Sequence, residues 1–151
     1  MLNEAPDSPR RWCFGCGQDN AEGLRIDFRL EDGQAVGYFD SRQAHQGYPG
    51  VMHGGIAATA LDEAMAWAAI ASGAWATTAR MEVKFRRPLP LDETLKVTAR
   101  VAKDRGRWLE VSAQLSSTAD ELLAEGSGLL QKLPEEEARR LDGLYFREAK
   151  D

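Results

Sequence analysis

The stretch from Gly54 to Ser72 constrains the fold more than any other part of the chain. Ala, Ile, Leu, Met and Trp fall on every side of it, and Asp62 and Glu63 are its only charges. Alanine is the strongest helix former, so the segment reads as a helix. A helix apolar all round must be covered by the rest of the chain. A membrane span is the rival for a run of this length, but two adjacent carboxylates at its centre are costly in hydrocarbon and basic flanks are missing. A buried helix is therefore expected, with no membrane partner.

What surrounds it is read from alternation. Leu24, Ile26, Phe28 and Leu30 alternate with Arg25, Asp27 and Arg29, the period of a half-buried strand. Asp32-Gly33 is a hairpin turn, and Gln34 to Asp40 returns as the partner strand. After a loop at His45-Gln46-Gly47-Tyr48-Pro49-Gly50 and the helix, alternation resumes around Met81, Val83 and Phe85. It continues through Leu95 to Val101, through Leu109 to Leu115, and in an apolar run from Leu122 to Leu130. Pro134, three glutamates and Arg139-Arg140 mark a short terminal helix charged to suit its dipole. Five or six strands with one helix inserted early cannot form a doubly wound sheet, which alternates helices with strands. An α+β fold follows, with an antiparallel sheet wrapped around one long buried helix. Residues 23–133 form that domain, preceded by a 1–22 segment carrying Cys13-x-x-Cys16 and followed by a 134–151 helix and tail.

One domain fits 151 residues. A net charge of −5 disfavours nucleic acid as a partner. The first residues lack the apolar core of a secretory signal, and two cysteines are too few for a disulfide scaffold, so a cytoplasmic location is expected.

The residues Cys13-Phe14-Gly15-Cys16-Gly17, Gly23-Leu24, His45-Gln46-Gly47-Tyr48-Pro49-Gly50, His53-Gly54-Gly55-Ile56 and Leu61-Asp62-Glu63 together resemble the hot-dog-fold acyl-CoA thioesterases of the phenylacetate-pathway (PaaI-like) type. The resemblance runs over roughly residues 13 to 133. It implies metal-free hydrolysis of an acyl-CoA thioester, with an acyl-thioester hydratase or dehydratase or a non-catalytic acyl-CoA binding module as the alternatives, a dimer or dimer of dimers, and a hydroxyl residue on the strand after the helix. Counted back from Pro88 through Phe85, that hydroxyl falls on Thr78, with Thr77 the alternative if the register slips by one. Related enzymes often carry a polar residue where this chain has Gly47, which leaves the second oxyanion donor open.

The residues themselves support such chemistry. His53-Gly54-Gly55 precedes the helix, so the amides of Gly54 and Gly55 lie at its positive end, where unpaired N–H groups can bind an oxyanion. A tight loop-to-helix turn would also account for the glycines. Asp62 is expensive in an apolar helix unless it is hydrogen-bonded or used, and it reads as base or nucleophile. Glu63, about 100° further round, reads as a paired or interface acid. Gly54 and Asp62 stand about 12 Å apart along one helix, too far to touch one thioester carbonyl, so two subunits with antiparallel helices are expected to share each site.

Several other residues have assignable roles. His53 is expected to shape the turn, and His45 to anchor the loop. Met65 shares Asp62's helical face with Thr59 and Ala69 and is expected to line an acyl pocket. Trp67 and Trp75 read as core or pocket residues, and Trp12 and Phe14 suggest that the N-terminal segment folds over apolar surface. Residues 80 to 107 are locally basic, and Arg86 and Arg87 are candidates for coenzyme A phosphates, unless alternation merely places them on a solvated face. Cys13-x-x-Cys16 alone is a weak metal signal, and His45 and His53 are spaced too widely to complete it, so neither a metal nor another cofactor is expected.

Overall fold

The structure, a computed structural model, describes residues 7–146; the outer ends of the expected N- and C-terminal segments lie outside the described residues. Six strands form one antiparallel sheet: β1 (Asp27–Glu31), β2 (Gln34–Asp40), β3 (Ala76–Phe85), β4 (Thr94–Asp104), β5 (Trp108–Ser117) and β6 (Leu122–Lys132). Their order across the sheet is β1-β2-β4-β5-β6-β3. The long helix α1 (Gly54–Ala71) touches all six strands, and α2 (Glu135–Tyr145) closes the chain. No described helix is long and apolar enough to cross a membrane.

The β1–β2 hairpin turns as expected at Asp32 and Gly33. Both have positive φ (50° and 74°), the backbone of a two-residue turn whose twist matches its strands. The first strand is shorter than the alternation suggests. Leu24 and Ile26 are buried, but their N–H groups bond to the carbonyls of Phe14 and Gly15 in the N-terminal segment, not to β2. That segment packs into the same core, through Cys16 at 2% exposure and Ser8, whose hydroxyl donates to the Leu144 carbonyl. The segment folds over apolar surface as expected, although the rings of Trp12 and Phe14 themselves stand 69% and 44% exposed.

One face of the sheet is apolar and carries α1; the other is a polar grid. The register aligns Gln34, Arg100, Ser112, Ser127 and Glu82 across five strands on the outer side. On the inner side Ala35, Val97, Ala99, Val111, Ala113 and Ala124 are buried. Small residues on both surfaces let the helix lie close. Ala57, Ala60, Ala64 and Ala68 of α1 are fully buried, and beneath Met65 the sheet offers Gly126 and Gly128. A Cβ on Gly128 would stand 2.6 Å from the Met65 sulfur.

The helix is not covered all round within one chain. Gly55 is exposed, and Thr59, Asp62, Glu63 and Ala66 are half-buried, because the sheet lies against only one side of α1. The strip expected to line a pocket is therefore divided: Met65 and Ala69 are in the core, while Thr59 and Asp62 face outward. Trp67 is a core residue, stacked on Phe28 at 5.9 Å with the Arg10 guanidinium 4.6 Å from its ring centre. Since Met65 fills the gap over two glycines, Met65→Ala should lower stability by about 2–5 kcal/mol, read from urea unfolding.

Candidate active site

His53 is the N-cap of α1. Its Nδ1 accepts from the Gly55 N–H at 2.9 Å, and its carbonyl accepts from Ile56 and Ala57 at 3.0 and 3.2 Å. That distribution separates the two glycines. The Gly55 amide is held by the histidine ring, whereas no described residue accepts a hydrogen bond from the Gly54 N–H. Gly54 thus presents the one unpaired donor of the pair at the positive end of the helix. A Cβ there would come 3.3 Å from Cζ of Phe85, a ring 53% exposed at the end of β3.

The preceding loop fixes this turn. The His45 carbonyl accepts from the His53 N–H at 2.8 Å, and its Nδ1 accepts from the Arg42 N–H at 3.0 Å. The Arg42 guanidinium reaches on to the carbonyls of Ala21 and Gly23. Gly47 contributes by its lack of a side chain, since a Cβ would lie 2.9 Å from the His53 Cα. Its amide is bonded to the Val51 carbonyl, which removes it as a second oxyanion donor in this conformation.

Asp62 and Thr78 are brought together. The Thr78 hydroxyl donates to Asp62 Oδ1 at 2.6 Å, and no described residue donates to Oδ2. The register explains the choice of threonine. Strict alternation back from Phe85 through Val83 and Met81 would turn Thr77 toward the helix. A bulge at Ala79 intervenes: Thr78 pairs with Leu130 and Arg80 with Leu129. The extra residue flips the side-chain order and aims Thr78 at Asp62. Both residues are reachable from solvent.

Arg86 and Arg87 emerge at the end of β3, both with N–H groups on the Leu123 carbonyl. Each is engaged by a carboxylate: Arg86 with Glu125 at 2.7 Å and Arg87 with Glu121 at 3.2 Å. A phosphate at either guanidinium competes with that pairing.

Glu63 does something the sequence did not reveal. It turns away from Asp62 toward the N-terminal segment, where Cys13 Sγ, Cys16 Sγ and a Glu63 oxygen all lie within 4.8 Å of one another. Cys13 Sγ stands 3.4 Å from Glu63 Oε1, the thiol donating to the carboxylate. Burial, followed by the Cys13 charge, pushes the Glu63 carboxyl up to about 7. Hydrogen bonding from Cys16 draws Cys13 down to about 5, while the same bond and burial push Cys16 up.

Burial and the nearby Arg42 charge hold His45 below its ordinary 6.5. A folded state that resists protonation loses stability as pH falls below that value, because the unfolded chain takes up the proton first. The contribution of His45 to the unfolding free energy should therefore decline as pH falls below about 6.5, and His45→Asn, which retains an acceptor for the Arg42 N–H, should remove that component from the pH dependence of denaturation measured beside the parent.

Comparison with known proteins places this geometry. Residues 49–124, half of the chain, match the family model of the thioesterase superfamily. The span includes His53, Gly54, Gly55, Asp62, Thr78, Arg86 and Arg87 and excludes Cys13 and Cys16. The acyl-coenzyme A thioesterase THEM4 of Mus musculus is 32% identical over 120 residues, covering 76% of this chain and 52% of that protein. The chain spans about half the length of the THEM4 relatives it matches. Among solved structures, the thioesterase superfamily protein RHA08564 superimposes with a TM-score of 0.76 at 27% identity, over 80% of this chain and 60% of that one. The protein smu.793 from Streptococcus mutans UA159, solved bound to acetyl CoA, gives a TM-score of 0.68 at 19% identity over 72% and 88% of the two chains. The sheet and its helix form a hot-dog fold.

Proposed function

The chain belongs to the thioesterase superfamily, and on that footing we propose that it hydrolyses an acyl-CoA thioester to a free acid and coenzyme A, with Asp62 as the reacting carboxylate. The observation that carries this reading is the 2.6 Å bond from Thr78 to Asp62. It fixes one carboxylate oxygen and leaves the other with its lone pairs unengaged at an accessible surface. The relatives named as acyl-coenzyme A thioesterases and the neighbour that holds acetyl CoA support the substrate class.

In the proposed reaction Asp62 Oδ2 takes a proton from water while the water oxygen adds to the thioester carbonyl. The carbonyl oxygen gains the electron pair and is stabilised by the Gly54 N–H. Collapse of the tetrahedral species expels coenzyme A as a thiolate, which recovers the proton. In the covalent variant the carboxylate itself attacks, and water cleaves the resulting mixed anhydride. Single turnover in ¹⁸O-labelled water identifies the covalent variant where water cleaves the anhydride at the Asp62 carboxyl carbon, since label then enters the protein and the product acid carries unlabelled oxygen.

Gly54 and Asp62 lie eight residues apart on one straight helix, about 12 Å. The amide and acid that act on one carbonyl therefore come from two copies of the chain. Two features support a dimer through this side. β3 is an edge of the sheet, ten residues long, and its neighbour α1 exposes Gly55 and half-exposes Thr59 and Asp62. A long unprotected edge strand is a template for pairing with a second chain. The free thiols of Cys13 and Cys16 suit a reducing compartment, in keeping with a cytoplasmic location.

Asp62→Asn keeps the size and much of the hydrogen bonding of the side chain. It should lower kcat by at least about a hundredfold with KM little changed, measured as thiol release from a panel of acyl-CoA substrates. Light scattering should find the variant still dimeric. Near-normal turnover would remove Asp62 from the chemistry. Release of no thiol by the parent from any substrate, or double-bond formation in its place, would replace hydrolysis by binding or by a lyase reaction.

We assign Arg86 and Arg87 to the coenzyme A phosphates, which would displace Glu125 and Glu121 from the two guanidinium groups. Changing both arginines to alanine should then raise KM for an acyl-CoA far more than for a truncated thioester without the nucleotide. An equal effect on both substrates would mark the pair as a solvated strand end.

A further inference from the structure

We propose that Cys13, Cys16 and Glu63 form a structural zinc site that clamps the N-terminal segment to helix α1. The two sulfurs and a carboxylate oxygen lie within 4.8 Å of one another, the only such grouping of His, Cys, Asp and Glu found among the described residues. Zinc bonds of about 2.3 Å to sulfur and 2.0 Å to oxygen, set at a tetrahedral angle, place sulfur and oxygen about 3.5 Å apart. The observed separation of Cys13 Sγ from Glu63 Oε1 is 3.4 Å. Two thiolates and a carboxylate suit zinc better than magnesium or calcium, which take oxygen donors.

The backbone around the three groups is built to bring them together. A Cβ on Gly15 would stand 2.6 Å from the Glu63 Cγ, so only glycine lets the Cys13–Cys16 turn close onto the carboxylate. A Cβ on Gly17 would stand 2.4 Å from the Arg11 carbonyl and 2.5 Å from the Cys13 nitrogen. The turn is held by the Gly17 N–H on the Cys13 carbonyl at 2.9 Å. Its outer edge is pinned by Leu24 on Phe14 and Ile26 on Gly15.

A hydrogen bond alone explains this arrangement poorly. A thiol is a weak donor, so hydrogen bonds from Cys16 to Cys13 and from Cys13 to Glu63 are slight compensation for gathering three such groups. Three groups that become anions on deprotonation repel one another at this range, and a divalent cation turns that repulsion into ligation. A water would complete a tetrahedral set. Bound metal would thereby join the N-terminal segment to α1. The site takes no part in the proposed hydrolysis, and its cysteines lie outside the residues that match the family.

The test is metal content and spectroscopy on the whole reduced chain. Elemental analysis should find one zinc per chain. Cobalt(II) titrated into metal-free protein should saturate at one equivalent, with a sulfur-to-cobalt charge-transfer band and the visible bands of tetrahedral coordination. Zinc should raise the Tm of the metal-free protein. Cys16→Ser should at least halve the charge-transfer band, and Glu63→Gln should weaken cobalt binding by at least about tenfold while keeping the sulfur band. The unaltered chain alone decides the matter if the variants do not fold. Metal-free protein that gives no cobalt–thiolate band would overturn the proposal. A Cys13–Cys16 disulfide surviving in the reducing purification, seen as the loss of two hydrogens by mass, would overturn it equally. Failure here leaves thiol release from acyl-CoA untouched, so the site and the proposed activity fail separately.

Discussion

Close contact between one helix and one sheet face is the constraint on which the rest depends. α1 can touch all six strands because both surfaces are lined with small residues: alanines at 57, 60, 64 and 68 on the helix, glycines at 126 and 128 on β6. Close-packed interiors respond to single methylenes, so this contact fixes the rotation of the helix about its own axis. Rotation in turn fixes function. With Met65 turned into the sheet, Asp62 must emerge toward β3 and Glu63 toward the N-terminal segment. Adjacent carboxylates thus acquire different partners, a threonine hydroxyl in one case and a pair of thiols in the other.

Much of this was legible in the chain. An apolar helix interrupted by two acids, followed by four alternating runs, admits few architectures, and the antiparallel sheet with one helix is what formed. The hairpin at Asp32-Gly33 was readable because its backbone requires positive φ at both positions. Burial all round was not correct for a single chain, since hydrophobicity reports that a surface must be covered and is silent on whether the cover comes from the same molecule. Met65 was misplaced for a related reason. Helical spacing groups it with Asp62, but the fine rotation of α1 is set by where the sheet has glycines, and sequence periodicity carries no such information.

Two features lay beyond local reading. Alternation along β3 turns Thr77 inward, and only the bulge at Ala79, a property of pairing with β6, turns Thr78 there instead. The resemblance to known thioesterases pointed to the hydroxyl that bonds Asp62 where periodicity would have missed it. Glu63 and the two cysteines are separated by nearly fifty residues, and no spacing rule joins them. The signal that was available is the pair of glycines flanking Cys16, which mark a turn too tight for side chains and so a close approach by something else.

The division of labour along α1 has a consequence for assembly. One end of the helix carries an amide without a partner, and a point two turns further on carries a carboxylate with one oxygen unengaged. A rigid helix cannot fold these onto a single carbon, so within one chain each is half of a site. A two-fold axis beside β3 and α1 would bring opposite halves together twice, because antiparallel helices exchange their ends. The same axis would pair the open edge of β3 and cover the half-exposed stripe of α1 that the sheet leaves bare. Three separate deficiencies of the lone chain, an uncovered helix side, an unpaired strand edge and a divided set of reacting groups, therefore lie on one surface and share one remedy. A metal clamp at Glu63 would hold the neighbouring flank of the helix against the N-terminal segment, leaving the Asp62 flank as the side open to a second chain.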